Sequence, residues 1–187
     1  MCLLNWRGYC RRGWTCSLLA RDGATTSSLA AQLARLPPTA THLVLSIGGN
    51  DALQHQDVLQ ARADSVADGV NILADIVARF ESAYRKAIEA CVAYRLPLLI
   101  CTIYNGNFAD AAYRKTVRSA VALFNDAIIR TAIDYQLKVI DLRSVCAKPE
   151  DYANPIEPSS TGAAKIARAI TAVVTGSADE NGAFIVG

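Results

Sequence analysis

Histidine is scarce in this chain: its 187 residues contain only two, His42 and His55. Cysteine is present at positions 2, 10, 16, 91, 101 and 146, but no two form a C-x-x-C pair. A structural zinc site needs about four such ligands at close spacing, so no metal is expected. Long hydrophobic runs are missing too. A run such as residues 96–103 is too short to cross a bilayer, so no membrane span is expected. Arginines occur near the first residue without a continuous apolar segment and cleavage site after them, so no signal peptide is readable. Neither sign of charge dominates, with 19 basic and 17 acidic residues. No basic stripe is interleaved with aromatics, which argues against a nucleic-acid partner. Cys91 and Cys101 fall in apolar patterns and read as small core residues. A reducing, cytoplasmic setting is the expectation from this cysteine usage.

Apolar residues make up 52% and charged residues 19%, the balance of a globular chain rather than a disordered one. The length suits one domain over residues 1–175, with an atypical Arg-, Cys- and Trp-bearing segment at 1–12. Residues 176–187 show no periodicity and are expected to form a flexible tail. Strand and helix patterns alternate between these ends. Residues 15–20, 41–47, 96–104 and 138–142 read as strands, bounded by Asp22-Gly23, Gly48-Gly49 and Asn105-Gly106-Asn107. Ser27 and Ser28 are placed to cap a helix through Leu29, Leu33 and Leu36, stopped by Pro37-Pro38. Two long helices carry Val66, Val70, Leu73, Val77, Phe80 and Tyr84, then Val117, Val121, Phe124, Ile128 and Ile133. A last helix covers residues 163–173. This alternation predicts an α/β fold with a parallel sheet covered on both faces. Ligands of such sheets bind beyond the strands' carboxyl ends. The loops at 22–23, 48–51, 104–107 and 143–160 are therefore the candidate site.

The most informative stretch is Ser46-Ile47-Gly48-Gly49-Asn50-Asp51, directly after a buried strand. Glycines let the backbone turn sharply there. An asparagine on such a turn offers an amide N–H to a developing oxyanion. Gly-Gly-Asn-Asp is also ordinary turn chemistry, and spacing alone leaves both readings open.

The wider pattern resembles the SGNH hydrolase (GDSL-like lipase/esterase) family. Gly48-Gly49-Asn50-Asp51 matches its Gly-x-Asn-Asp block. Asp22-Gly23-Ala24-Thr25-Thr26 resembles the block whose glycine N–H is the second oxyanion donor, which assigns that role to Gly23. Asn154-Pro155-Ile156-Glu157-Pro158, followed by Gly162 and a helix, stands in the place of the Asp-x-x-His-Pro block. The resemblance covers residues 13 to about 174. It implies a three-layer α/β/α fold with a flavodoxin-like strand order. It also implies ester or thioester hydrolysis through an acyl-serine, without metal or organic cofactor, on a small ester substrate.

Two departures accompany the matches. No Gly-Asp-Ser occurs anywhere, and no Gly-x-Ser-x-Gly elbow replaces it. In the family that strand lies between the second and third, so its absence opens the middle of the sheet. A displaced start and a short substitute strand at residues 1–4 are the competing explanations. An unfilled gap would favour homo-oligomers through the exposed edge. The second departure puts Glu157 where the base histidine belongs and Asn154 where its orienting aspartate belongs. Glu157 either acts as a base or favours the N-terminal dipole of the last helix. His55, four residues after Asp51, is the candidate proton carrier, or an exposed residue at a helix start. His42 opens its strand at the far end from the site. Ser46 reads as a hydrogen-bonded strand serine, and Ser159 and Ser160 as helix caps. Tyr104 is placed to line a pocket, and Asp141 either pairs with Arg143 or serves the site. The functional expectation is an ester hydrolase with Gly23 and Asn50 as oxyanion donors. The alternative is an impaired or non-enzymatic binding module of the same fold.

Overall fold

The computed structural model describes residues 13–176 and the backbone of residues 184–186. Three short apolar segments make the parallel core of the sheet: β1 (Leu43–Leu45), β2 (Leu98–Cys101) and β3 (Lys138–Ile140). β1 pairs with β2 and β2 with β3, both parallel, in the register Leu43–Leu98 and Leu99–Lys138. Every residue of β2 is buried, as expected of a strand covered on both faces. Parallel neighbours need crossovers, and helices supply them: α3 (Val66–Val92) and α4 (Ala111–Asp134). The shorter helices are α1 (Leu29–Leu33), α2 (Gly49–Leu53) and α5 (Leu142–Val145), and α6 (Ser160–Val174) follows them.

The period-two alternation of the strands sends side chains to two cores. Leu43, Leu45, Ile100 and Val139 pack with Ile76, Phe80, Tyr84 and Ile88 of α3 and with Phe124 and Ile128 of α4. On the other face, Leu99, Cys101 and Ile140 meet Ile166, Ile170 and Val173 of α6. The result is the three-layer α/β/α arrangement expected from the alternation.

Three expectations are corrected. Residues 15–20 form no strand, although their composition suits one. They run beside β1 in the same direction: Trp14 packs on His42 with ring centroids 5.2 Å apart, and Ala24 meets Asn50 at the other end. No ladder joins this segment to β1, and a strand without a partner cannot form. The tail is not all irregular, since β6 (Phe184–Val186) pairs antiparallel with β3 and closes that edge. The helix after Ser28 stops at Leu33 rather than reaching Leu36, and Ser28 makes no side-chain cap. The Thr25–Ser28 pair caps the preceding 3-10 turn instead. The expected substitute strand at residues 1–4 lies outside the described residues.

Candidate active site

The site is assembled where β1 gives way to α2. Gly48 adopts φ +116°, and a Cβ on it would lie 3.0 Å from the Phe80 ring, so only glycine turns the chain so close over the core. That turn starts α2 at Gly49 and puts Asn50 and Asp51 on its first turn. Both side chains then reach the loop at 22–28. The Asp51 carboxylate accepts from the Thr26 N–H at 3.1 and 3.2 Å and from the Thr26 hydroxyl at 2.6 Å. Asn50 Nδ2 donates to the Ala24 carbonyl at 2.9 Å. Gly23, at φ +69°, donates its N–H to the Asp22 carboxylate at 3.0 Å. One proton of the Asn50 amide is thus engaged, and the group has two. The Gly23 N–H points at an anionic oxygen, which at present is the chain's own.

The opposite wall comes from the loop before α6. Asn154 Nδ2 donates to Glu157 Oε2 at 2.8 Å, while Asn154 Oδ1 accepts from the Ile156 N–H at 2.9 Å. Asn154 ends β4 (Tyr152–Asn154) and Glu157 opens β5 (Glu157–Pro158), which pair antiparallel. The Tyr104 hydroxyl donates to the Ile156 carbonyl at 2.8 Å, and Asn107 N–H to the Pro155 carbonyl at 2.9 Å. These bonds fasten the end of β2 to the same loop. Hydrogen bonds thus join these loops in two pairs, 22–28 with 48–51 and 104–107 with 154–157.

Between the walls lies a cavity of about 800 Å³ whose lining includes Asp22, Asn50, His55, Tyr104 and Glu157. Gly23 and Asn154 stand beside this lining, not in it. His55 precedes the 3-10 turn Gln56–Gln60, is exposed, and has no side-chain hydrogen bond among the described residues. His42 lies at the amino end of β1, with Nδ1 3.0 Å from the Thr41 hydroxyl. Ser159 caps α6 by accepting from the Gly162 N–H, so Glu157 is not that helix's cap. Ser46 is exposed and lines the cavity.

Electrostatics narrows the chemistry. Burial pushes the Cys91 and Cys146 thiols up to about 11 and the Cys101 thiol up to about 12. None of these three is a thiolate near neutral pH, so none serves as a substitute nucleophile. Burial also raises Tyr104, and Tyr152 to about 12, which leaves both as hydrogen-bonding phenols. Burial works against the Asp141 carboxylate, but bonds from Arg143 and Thr102 hold it below the usual range. Arg143 Nη2 approaches Asp141 Oδ2 to 2.6 Å, so the Asp–Arg pairing accounts for Asp141.

Three structuring residues escaped the sequence reading. Asp51 staples the 22–28 loop to α2, and its signal was the acceptor beside Asn50. Asn125, fully buried on α4, both accepts from the Ile103 N–H at 2.7 Å and donates to the Ile103 carbonyl at 2.8 Å. A lone amide in the apolar pattern of α4 was the available clue. Asp151, also fully buried, holds Lys165 of α6 at 2.6 Å.

Comparison with known proteins places the fold. The model of the GDSL-like Lipase/Acylhydrolase family matches residues 2–165. An extracellular lipase from Streptomyces rimosus superposes with a TM-score of 0.60 at 16% identity, over 83% of this chain and 77% of that one. Phospholipase A1 from Streptomyces albidoflavus NA297 gives 0.57 at 18% identity, over 83% and 77%. An acetylxylan esterase from Geobacillus stearothermophilus gives 0.55 at 16% identity, over 79% and 66%. No curated protein matches the sequence.

Proposed function

Because the chain belongs to the GDSL-like lipase/acylhydrolase family, we propose that it hydrolyses small carboxylic esters with Asn50 and Gly23 as oxyanion donors. The observation that carries this reading is the placement of Asn50 and Glu157 in the lining of one cavity. Glu157, oriented by the Asn154 amide, takes a proton from water as the water oxygen bonds to the ester carbonyl carbon. The carbonyl oxygen gains the electron pair and is met by the free proton of the Asn50 amide and by the Gly23 N–H. Collapse of the tetrahedral species expels the alcohol, which recovers the proton from Glu157. A carboxylate is a weaker general base than imidazole near neutral pH, so turnover is slow. No metal or organic cofactor has a part in this scheme.

The second reading is a binding module without turnover. It is favoured by the Asp22 carboxylate, which already satisfies the Gly23 N–H at 3.0 Å. Hydrolysis of a short-chain aryl ester separates the two. Asn50→Ala should lower kcat by roughly 10²-fold, because the donor acts on the transition state. A wild-type rate no higher than buffer would establish the binding module instead.

A further inference from the structure

One flank of α4 carries three cations and no acid. A shallow cleft there is lined by Ala111, Arg114, Lys115, Arg118, Ser119 and Ala122. None of these lines the larger cavity, which α4 meets with Tyr113, Val117 and Val121 instead. Arg114 and Arg118 are one helical turn apart, and Lys115 stands beside both. The alanines keep the floor low, and the three long side chains form the walls. Arg114 is half-buried, and its Nη1 donates to the Phe108 carbonyl at 2.9 Å, which tethers the guanidinium. Lys115 and Arg118 are exposed. Among the described residues, no carboxylate forms an ion pair with any of the three.

That lack of counter-charge is local. Further along the same helix, Arg130 meets Asp126 at 2.7 Å and Glu81 at 2.8 Å, and Arg85 of α3 meets Glu81 and Asp134. The acid nearest the cleft in sequence, Asp110, is committed to the helix start, where its carboxylate accepts from the Tyr113 N–H at 2.6 Å. The arrangement also works against the helix. Arg114 and Lys115 lie about one turn from its amino end, where the macrodipole disfavours a cation, and Arg114 and Arg118 repel each other across one turn. An anion between the three relieves both effects.

We propose that this cleft binds a phosphate group, free or carried by a larger molecule. A carboxylate has one charge and two oxygens, which a single arginine fork satisfies. A phosphate has about two charges and three outward oxygens, enough to meet all three cations at once. The tethered Arg114 guanidinium keeps further N–H donors for it, and Arg118 adds a second planar fork. Ser119 adds no donor, since its hydroxyl donates to the Lys115 carbonyl at 3.1 Å. The attraction is therefore ionic and weakens as salt is added.

The test titrates the full chain with inorganic phosphate at constant ionic strength, followed by calorimetry. A second arm measures flotation with phosphatidylcholine vesicles, with and without phosphatidic acid. The pair Lys115→Gln with Arg118→Gln should weaken binding about tenfold or more, the loss expected for hydrogen bonds to a charged group. The pair Arg79→Gln with Lys86→Gln removes the same charge from exposed positions of α3 and should leave binding unchanged. Saturable binding of inorganic phosphate shows that a free phosphate suffices, whereas binding only to phosphatidic acid vesicles identifies a lipid headgroup as the source. In phosphate-free buffer the Lys115 and Arg118 pair should melt no lower than the parent chain, because its loss relieves repulsion. Added phosphate should raise the parent midpoint more than that of this pair. No saturable binding in either arm, equal losses in the two pairs, or a lowered midpoint without phosphate would overturn the proposal. So would poly-glutamate held as tightly as the phosphate that binds.

Discussion

At the scale of single residues, Asp51 and Gly48 are constrained more tightly than their turn-like sequence suggests. Asp51 accepts three hydrogen bonds from Thr26 and so sets the distance between the Gly23 loop and Asn50. Asp51→Ala should cost roughly 1.5–3 kcal/mol, the range for bonds to a charged group. If the proposed chemistry holds, it should also lower kcat more than it raises KM, a split that loss of stability alone would not produce. Gly48→Ala should cost about 1–3 kcal/mol from backbone strain alone, plus the displacement of Phe80. Thermal unfolding of each variant checks both figures. The two candidate bases, Glu157 and His55, separate by substitution. Glu157→Gln should abolish the ester-hydrolysis rate, and His55→Ala should leave that rate intact.

At the scale of elements, α6 is held to the sheet by apolar contact, and to the turn Pro149–Asp151 by an ion pair. Lys165 of α6 meets Asp151, whose side chain is fully buried, at 2.6 Å. Burial opposes the Asp151 charge, but Lys165 and the Lys148 N–H hold its carboxyl below the ordinary range. A carboxylate with a lowered folded-state pKa stabilises the fold above its unfolded value of about 3.9. That stabilisation fades as the pH falls from there toward the folded value. Asp151→Asn should therefore destabilise at pH 7 by about 3 kcal/mol, the lower end for a broken buried pair, because Lys165 is partly exposed and can reach water. The same variant should unfold less steeply with acid below about pH 4, as followed by circular dichroism. Gly162 belongs to this contact, since a Cβ there would run into the Asp151 backbone. The turn at 149–162 is thereby fixed, and with it Asn154 and Glu157.

For the whole molecule, what the sequence disclosed follows from how local each signal is. The strands at Leu43–Leu45, Leu98–Cys101 and Lys138–Ile140 carry continuous apolar runs between turn residues, and such runs are legible without their partners. Residues 15–20 have the same composition but no ladder, because pairing depends on a neighbour that composition does not record. β6 was missed for the converse reason: its three residues become a strand only through β3. The site divides in the same way. Asn50 was legible because it sits on a recognisable turn, whereas the Asp51–Thr26 bonds join positions 25 apart in the chain. Glu157 and Asn154 stand out in the sequence by their position before Gly162, and their mutual bond shows only in the structure. The molecule thus keeps the fold of the GDSL-like lipase/acylhydrolase family. Among the described residues, no serine hydroxyl is hydrogen-bonded to a histidine. Labelling with a serine-directed phosphonate decides whether any serine acts as nucleophile. The expected result is slow, substoichiometric incorporation that leaves the aryl-ester rate unchanged; rapid stoichiometric labelling of one serine, with loss of that rate, would establish a serine nucleophile instead.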